Sequence, residues 1–231
     1  MRYSQVEKAI FLSRPNRFIA NVSIDGREEV VHVKNTGRCR ELLVPGCTVY
    51  LSRAQTPGRK TLFDLIAVEK RRPGLEPLLV NMDSQAPNTL CREWLEAGGL
   101  GFIPDRIRSE VTFENSRFDL MLESADTTAF VEVKGVTLED EGLCMFPDAP
   151  TLRGTKHLNE LVRAVEQGYG AYLVFVVQMQ ECHGFVPHTR QDPAFAAALI
   201  RARQRGVTVL AVSCRVAPDE LYIEKKLSLL F

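Results

Sequence analysis

The pattern of hydrophobic and polar positions changes along the chain, and short β-type runs dominate the first third. They are FIANVSID (18–25), EEVVHVKN (28–35), CTVYLSRA (47–54) and TLFDLIAVEK (61–70). Turn signals such as Asp25-Gly26, Pro45-Gly46 and Pro57-Gly58 separate these runs. Four or five closely spaced strands without a long helix predict a small barrel, and an OB-type barrel best fits the size and strand number.

Beyond the first third the pattern alternates between helical and strand periods. Proline and turn residues cluster in 71–90, so we place the domain boundary there, with one domain at 1–83 and a second at 84–231. Helices are predicted at 88–99, 155–167 and 193–206, and strands at 107–113, 117–122, 129–135, 171–178 and 207–216. This order predicts a mixed α/β sheet with helices on both sides.

Three details of the second domain are expectations about its local structure. Asn88 is placed to cap the first helix, and Gly168 is placed to end the second. The nearly all-apolar run 171–178 predicts a strand buried on both faces. The segment 136–157 shows no periodicity for most of its length, so an irregular loop is expected there.

The stretch 117–134 carries the candidate chemistry. Two valines alternate with Glu132 and Lys134, so the two charged side chains share one face of a strand. If the preceding strand pairs with it as a hairpin, Asp119 comes close to that face. Carboxylates are hard oxygen ligands for Mg²⁺ or Mn²⁺, and a nearby lysine can orient or deprotonate a metal-bound water. This arrangement suits the hydrolysis of a phosphodiester.

A simpler interpretation stands beside this one. A Glu-x-Lys pair on a strand is most often a solvated face with a weak cross-strand ion pair. Three features favour a site: the other face of the strand is apolar, Asp119 lies at a matching distance upstream, and a long segment follows. A glycosidase also uses paired carboxylates, but the adjacent lysine and the basic first domain suit a polyanion better.

The segment 35–43 is the candidate nucleic-acid-binding element of the first domain. Its sequence is NTGRCRELL, in which glycine permits tight backbone geometry and Arg38 and Arg40 offer bidentate phosphate contacts. The alternative is a short helix whose arginines are merely solvated. Four further basic residues could extend the track, namely Arg14, Arg17, Arg59 and Lys60.

Charge and composition narrow the class of protein. Residues 1–83 carry 14 basic against 9 acidic side chains, whereas 84–231 carry 15 against 20. A basic module beside an acidic one suits polyanion binding coupled to metal binding. No apolar run spans a bilayer, the N-terminus lacks a signal-peptide core and the six cysteines are scattered. A cytoplasmic protein with buried thiols and no membrane partner is therefore expected.

A resemblance to a known family covers nearly the full length of the chain. It is carried by Asn35-Thr36-Gly37-Arg38, Glu41-Leu42-Leu43, Ser116-Arg117-Phe118-Asp119, Val131-Glu132-Val133-Lys134, Phe146-Pro147-Asp148-Ala149, Arg153-Gly154, Lys156-His157-Leu158 and Glu160-Leu161. The second domain resembles the core of the PD-(D/E)xK nuclease superfamily, and the whole chain resembles the sugar fermentation stimulation protein A family. The chain departs from the first motif of that family at Cys39, where the family has methionine.

The resemblance implies an OB-like DNA-binding domain followed by a PD-(D/E)xK nuclease-like domain. It also implies non-specific DNA binding with a role in regulating sugar (maltose) metabolism. RNA is a further possible ligand, and a homodimer is a possible assembly. The alternative function is a catalytically inactive DNA-binding regulator that keeps the nuclease-like domain as a scaffold. The intact Asp-Glu-Lys set favours the enzyme over this alternative.

The nuclease interpretation assigns each site residue a role. Asp119 and Glu132 bind Mg²⁺ or Mn²⁺, helped by the main-chain carbonyl of Val133. Lys134 positions or activates the attacking water, and Glu110 could add a ligand or hold a second ion.

The start of the helix that follows the segment 136–157 is a further expected contact region. Arg153, Lys156 and His157 lie there, where side chains and free main-chain amides can hold a phosphate. A lone histidine is more often structural, but the two basic neighbours make a substrate-facing role for His157 equally plausible.

Overall fold

A computed structural model of the chain describes residues 1–35, 37–54, 58–125 and 127–231. Thr36 of the candidate binding segment and Pro57 of a predicted turn lie outside the described residues. The first strands are β1 (Val6–Ser13), β2 (Ile19–Ile24), β3 (Arg27–Val33), β4 (Thr48–Arg53), β5 (Phe63–Arg72) and β6 (Leu75–Asn81). They are followed by α1 (Ala86–Glu96), β7 (Arg106–Phe113), β8 (Ser116–Ser124), β9 (Thr127–Val136), β10 (Leu138–Asp140), β11 (Leu143–Phe146), α2 (Leu152–Glu166), β12 (Gly170–Val177), β13 (Gly184–Pro187), α3 (Pro193–Gln204), β14 (Thr208–Val216), β15 (Leu221–Lys226) and β16 (Ser228–Leu229).

The first strands form a closed barrel with one additional strand at its edge. Neighbouring strands pair in the order β3-β2-β1-β4-β5-β6, and β3 also pairs in parallel with β5. This last pairing closes β1 to β5 into a five-stranded barrel, which confirms the predicted OB-like fold. Val22, Val31 and Leu51 are fully buried, so the period-two pattern of the sequence does mark core positions.

The strands β1 and β6 are absent from the predicted set. β6 lies in the proline-rich stretch 71–90 and pairs antiparallel with β5. Pro77 falls within it and is exposed. A proline is tolerated on an edge strand because its missing N–H leaves no ladder hydrogen bond unmade there. The same proline therefore made the stretch look like a linker.

The chain forms two compact units. The N-terminal unit comprises Met1–Ala86, Gln178–Gln180 and Cys214–Tyr222, and the C-terminal unit comprises Pro87–Val177, Glu181–Ser213 and Ile223–Phe231. The first segment of the N-terminal unit ends near the boundary that we expected, but two later segments also join that unit. One is held by the Asn81 N–H, which donates to the Gln178 carbonyl at 2.9 Å. Local sequence patterns do not reveal that segments so far along the chain belong to the N-terminal unit.

A mixed sheet with the order β15-β14-β12-β9-β8-β7 forms the core of the C-terminal unit. β7, β8 and β9 pair antiparallel in succession, whereas β9, β12 and β14 run parallel. Parallel neighbours need crossover connections, which include α2 before β12 and α3 before β14. The mixed α/β prediction is confirmed, and the side chains from Leu173 to Val177 are fully or almost fully buried, as the all-apolar run predicted.

The segment 136–157 is not irregular, contrary to the prediction. β10 and β11 pair as an antiparallel hairpin, and β11 pairs in parallel with β13. The two hairpin strands are only 3 and 4 residues long, which is too short for a period of two to stand out in the sequence.

The starts of α1 and α2 differ from the prediction. α1 begins at Ala86, so Asn88 lies inside this helix and does not cap it. α2 begins at Leu152, because the hydroxyl of Thr151 accepts a hydrogen bond from the Gly154 N–H at 3.0 Å. A Cβ at Gly154 would lie 2.8 Å from the Thr151 methyl group and 3.1 Å from the Phe195 ring, so even an alanine would be crowded at this position. No helix in the described ranges is long and apolar enough to cross a membrane.

A charge cluster joins β3 to β5 where the barrel closes. Asp64 accepts hydrogen bonds from Arg59 at 2.7 and 3.0 Å, and its Oδ1 lies 2.8 Å from His32 Nδ1. Burial acts to raise the pKa of Asp64, but the hydrogen bonds from Arg59 and His32 outweigh burial and lower it. Arg59 is thus a partner of Asp64, and it does not extend the basic track.

We expect Asp64→Asn to destabilise the N-terminal unit in a pH-dependent way. Because the folded-state pKa is lowered, the ionised carboxylate stabilises the fold above its ordinary pKa of about 3.9. This stabilisation is lost as the pH falls through the lowered value. Urea unfolding followed by circular dichroism should therefore show a gap between wild type and variant at pH 7 that narrows below pH ~4.

Asp25→Asn is the matched control, because Asp25 is exposed in a turn of the same unit. It should leave stability nearly unchanged at each pH. A gap for Asp64→Asn that stays constant down to pH 3 would contradict the ion-pair explanation.

Candidate active site

Adjacent antiparallel strands bring the predicted carboxylates together. β8 and β9 pair with Leu120 opposite Val131. In this register Asp119 Oδ2 accepts a hydrogen bond from the Val133 N–H at 2.8 Å. Asp119 is thereby anchored to the strand that carries Glu132, as the hairpin interpretation requires.

Glu132 is the most deeply buried member of the site, with 2 % of its surface exposed. Its Oε1 is bonded to Lys134 Nζ and to His157 Nδ1. Glu132 and Lys134 therefore share one face of β9, but that face is not solvated. Burial acts to raise the pKa of Glu132, but His157 and Lys134 outweigh burial and lower it. Glu132 thus remains an anionic group although it is buried.

One oxygen of this carboxylate is left over. Among the described residues, Glu132 Oε2 is buried and has no hydrogen-bond partner. A buried carboxylate oxygen without a partner is costly, so such an atom calls for an explanation such as an absent ion or water.

The environment of Asp119 is different. Burial raises its pKa, the nearby negative charge of Glu132 raises it further, and three partners oppose the rise. These partners are the Val133 N–H, Lys134 and Asn88, whose amide donates to Asp119 Oδ1 at 3.0 Å. Two carboxylates that disfavour each other's charge in this way would both gain from a nearby cation.

Asn88 is a site residue that the sequence analysis assigned to a different role. It lies on the same face of α1 as Cys91 and Leu95, which are 0 % and 1 % exposed. The sequence did indicate this role, because Asn88 is a polar residue at helical spacing from positions that are apolar. We had instead interpreted Asn88 as an N-cap.

Of the two interpretations of His157, the contacts in the structure match the structural one. Only 6 % of its surface is exposed, and its Nδ1–H donates to Glu132. Its other ring nitrogen accepts from Arg153 Nε at 3.4 Å. The helix α2 therefore supplies a chain of hydrogen bonds from Arg153 through His157 to Glu132, and His157 orients the carboxylate.

The other predicted site residues are placed as follows. Glu110 is about half exposed, has a left-handed backbone (φ 58°) and ion-pairs with Arg117 Nε at 2.7 Å. Lys156 is exposed and donates to the Asn115 carbonyl at 2.6 Å. Arg153 is exposed in the first turn of α2.

The donor set fits a hard divalent cation only in part. Within the described residues, no group of three or more His, Cys, Asp or Glu side chains is arranged to hold a metal ion. Two carboxylates with one unpartnered buried oxygen nevertheless suit Mg²⁺, which commonly takes one or two carboxylates and completes its shell with water and phosphate. The residues therefore fit such an ion if most other ligands come from solvent and substrate.

The N-terminal unit holds a second candidate site, a cleft rich in arginine. Its volume is about 310 Å³. Its lining residues are Arg14, Asn16, Arg17, Gly37, Arg38, Arg40 and Leu43. Residues 37–47 form turns without a helix, so the short helix of the alternative interpretation is absent from this segment. Arg38 and Arg40 are nevertheless exposed to solvent, as that interpretation expected. Four of the predicted basic residues meet in this cleft, which we call the arginine cleft.

Comparison with known proteins identifies relatives over the full chain. Residues 12–75 match the family model described as the SfsA N-terminal OB domain, and residues 85–220 match the sugar fermentation stimulation protein RE domain. A sugar fermentation stimulation protein homolog of Desulfitobacterium hafniense is 54% identical, covering 96% of this chain and 94% of that protein. The homolog of Ruminiclostridium cellulolyticum is 46% identical and covers 98% of each chain.

A solved structure also matches. The structure of Pyrococcus furiosus SfsA in complex with Ca²⁺ superimposes with a TM-score of 0.87 at 27% identity, covering 100% of this chain and 98% of that one.

We expect His157→Leu to destabilise the C-terminal unit by about 1–3 kcal/mol, because the buried carboxylate of Glu132 loses a hydrogen bond. Trp94 is the chain's single tryptophan and lies in this unit, so its fluorescence during urea unfolding reports the change. Since the two side chains act as a pair, adding Glu132→Gln should cost much less in the His157→Leu background than in the wild type.

His183→Leu is the control, since His183 is an exposed histidine of the same unit. It should change stability by less than about 0.5 kcal/mol. Strict additivity of the His157 and Glu132 substitutions would show that the two side chains do not interact.

Proposed function

The chain belongs to the sugar fermentation stimulation protein family, and from this premise we propose that it is a non-specific DNA-binding protein with a divalent-metal-dependent site for phosphodiester hydrolysis. The carrying observation is the juxtaposition of Asp119, Glu132 and Lys134, in which Glu132 keeps a buried oxygen without a partner among the described residues. Phosphodiester hydrolysis needs a stabilised negative charge and an oriented water, and these residue types supply both.

Asp119 and Glu132, with the Val133 carbonyl, are the groups that would hold Mg²⁺ or Mn²⁺. A bound divalent cation would offset the negative charge that builds on the phosphate. The Ca²⁺ in the complex of the Pyrococcus furiosus relative supports a cation in this protein, because Ca²⁺ is also a hard, oxygen-seeking ion.

Lys134 supplies a hydrogen-bond donor beside the carboxylates. Its Nζ donates to Glu132, and 18 % of its side chain is exposed. An ammonium held in this way orients a water and stabilises developing negative charge, whereas it cannot accept a proton. We therefore assign Lys134 to positioning the attacking water.

Two regions would hold the nucleic-acid backbone. Arg153 and Lys156 lie in the first turns of α2, where free main-chain amides also favour phosphate. Arg38 and Arg40 line the arginine cleft of the N-terminal unit. Arginine contacts to phosphate carry no base information, so the proposed binding is non-specific, and RNA is a second possible ligand.

The proposal also covers the cellular context of the protein. We propose a role in regulating sugar (maltose) metabolism on the ground of the family to which the chain belongs. A cytoplasmic location is supported by the six cysteines, all of which are buried, since thiols persist in a reducing compartment.

A second candidate function is a DNA-binding regulator that does not cleave. This function is favoured because most carboxylate oxygens of the site already accept hydrogen bonds from protein groups. Both Asp119 oxygens accept hydrogen bonds, and Glu132 Oε1 is held by Lys134 and His157. Such a network can stabilise a scaffold without any metal.

A cleavage assay separates the two candidates. Single- and double-stranded DNA and RNA are incubated with Mg²⁺ or Mn²⁺ and the wild type, Asp119→Ala or Lys134→Met. We expect metal-dependent cleavage by the wild type and a loss of about a hundredfold or more in each variant. Glu166→Gln is the control, because Glu166 is an exposed carboxylate at the other end of α2. Binding without cleavage of any substrate would favour the regulator.

Reversing the charge at Arg38 and Arg40 should weaken DNA binding for every sequence. Each phosphate contact that is lost should also flatten the plot of log affinity against log salt by about 0.9 units. Fluorescence anisotropy between 50 and 200 mM salt measures both effects. Arg27→Glu, an exposed arginine of the same unit, is the control. Equal salt slopes for the Arg38/Arg40 variant and the wild type would exclude the arginine cleft from the interface.

A further inference from the structure

The arginine cleft concentrates positive charge without compensation in its own lining. Four of its lining residues are arginines and none is acidic. Within the described part of the chain, the exposed side chains of Arg17, Arg38 and Arg40 form no ion pair with a carboxylate. Like charges brought this close repel one another, so an anion bound among them would relieve that repulsion.

Arg14 is held in place by main-chain groups. Its Nη1 donates to the Arg38 carbonyl at 2.7 Å, and its Nη2 donates to the carbonyls of Arg17 and Asn35 at 2.8 and 2.7 Å. These bonds tie the β1–β2 turn to the segment that follows β3. Because carbonyls are neutral, Arg14 keeps its full charge, and its buried Nε has no partner among the described residues.

The backbone between the two exposed arginines is strained. Cys39 has φ 45°, a left-handed conformation that is rare outside glycine, asparagine and aspartate. Its side chain is buried at 2 % exposure, while its carbonyl accepts from the N–H groups of Leu42 and Leu43. The conformation thus anchors Cys39 inward and leaves Arg38 and Arg40 outward on either side. Strain of this kind persists where surrounding contacts hold it, and it clusters at binding sites.

From these observations we infer that the arginine cleft is a binding site for a phosphomonoester, such as the terminal phosphate of a nucleic-acid strand. A phosphomonoester carries up to two negative charges and three terminal oxygens, whereas an internal phosphodiester carries one charge. Several guanidinium forks around one cleft can satisfy three oxygens at once. The volume of about 310 Å³ matches the lower end of small-ligand sites.

This inference rests on the proposed binding of nucleic acid and deepens it. A free phosphorylated metabolite presents the same phosphomonoester group. The test therefore includes competitors that distinguish a strand end from a small molecule. Recognition of an end would place the protein on broken or processed strands, since internal segments present no phosphomonoester.

The test compares one single-stranded oligonucleotide in three forms, with a 5′-phosphate, with a 3′-phosphate and with hydroxyls at both ends. Affinities are measured by fluorescence anisotropy at constant ionic strength, with inorganic phosphate and glucose 6-phosphate as competitors. We expect at least one phosphorylated form to bind about tenfold more tightly than the hydroxyl form. Arg38→Gln/Arg40→Gln should abolish this preference.

The control variant Lys8→Gln/Arg27→Gln removes the same charge from exposed positions of the same unit. It should keep the preference. Because both variants replace exposed side chains, circular dichroism should show unchanged folding.

The outcomes separate this inference from the proposed function. A phosphate-end preference that competitors reduce supports the cleft as a phosphomonoester site, and stronger competition by glucose 6-phosphate than by phosphate identifies a small molecule as the source. Equal binding of all three forms, weakened by Arg38→Gln/Arg40→Gln, overturns the inference while DNA binding stands. Absence of binding by any oligonucleotide or competitor overturns both.

Discussion

The pairing of β8 with β9 is the constraint on which the C-terminal site depends. It sets Asp119 against the Val133 N–H and leaves Glu132 buried in the sheet. A buried carboxylate is tolerated only when it is paired, because its desolvation is costly. Lys134 on the same strand and His157 on α2 provide that pairing. The sheet and the helix are therefore locked together by the group that the proposed chemistry uses.

The position of α2 follows from a second set of contacts. Asp192 caps α3 through the Phe195 N–H at 2.9 Å and also accepts the Thr151 N–H at 2.8 Å. One buried carboxylate thus fixes the starts of both helices. Gly154 allows the close approach of Phe195. These contacts place His157 at a distance where it can bind Glu132. The capping of the two helices therefore determines how the Glu132 carboxylate is oriented.

In the N-terminal unit the comparable constraint is the parallel pairing of β3 with β5, which closes the barrel. The Asp64 cluster lies at this closure, and it occupies Arg59. The segment after β3 is then held by Arg14 through main-chain carbonyls. Arginines with similar local sequence surroundings consequently have opposite roles: Arg59 stabilises the barrel, whereas Arg38 and Arg40 present their charge to solvent.

The local sequence pattern by itself determined the OB-like barrel, the mixed sheet, the buried central strand and the shared face of Glu132 and Lys134. These features depend on hydrophobic periods of two and 3.6 residues, which can be recognised from neighbouring residues alone. The pattern did not reveal β6, the β10–β11 hairpin or the role of Asn88, since a proline, short strands and a capping-type residue mimic loops. Only the tertiary structure decided that Glu132 is buried, that His157 hydrogen-bonds to it and that Glu110 ion-pairs with Arg117. Those outcomes depend on contacts between segments far apart in the chain, which local periodicity does not encode.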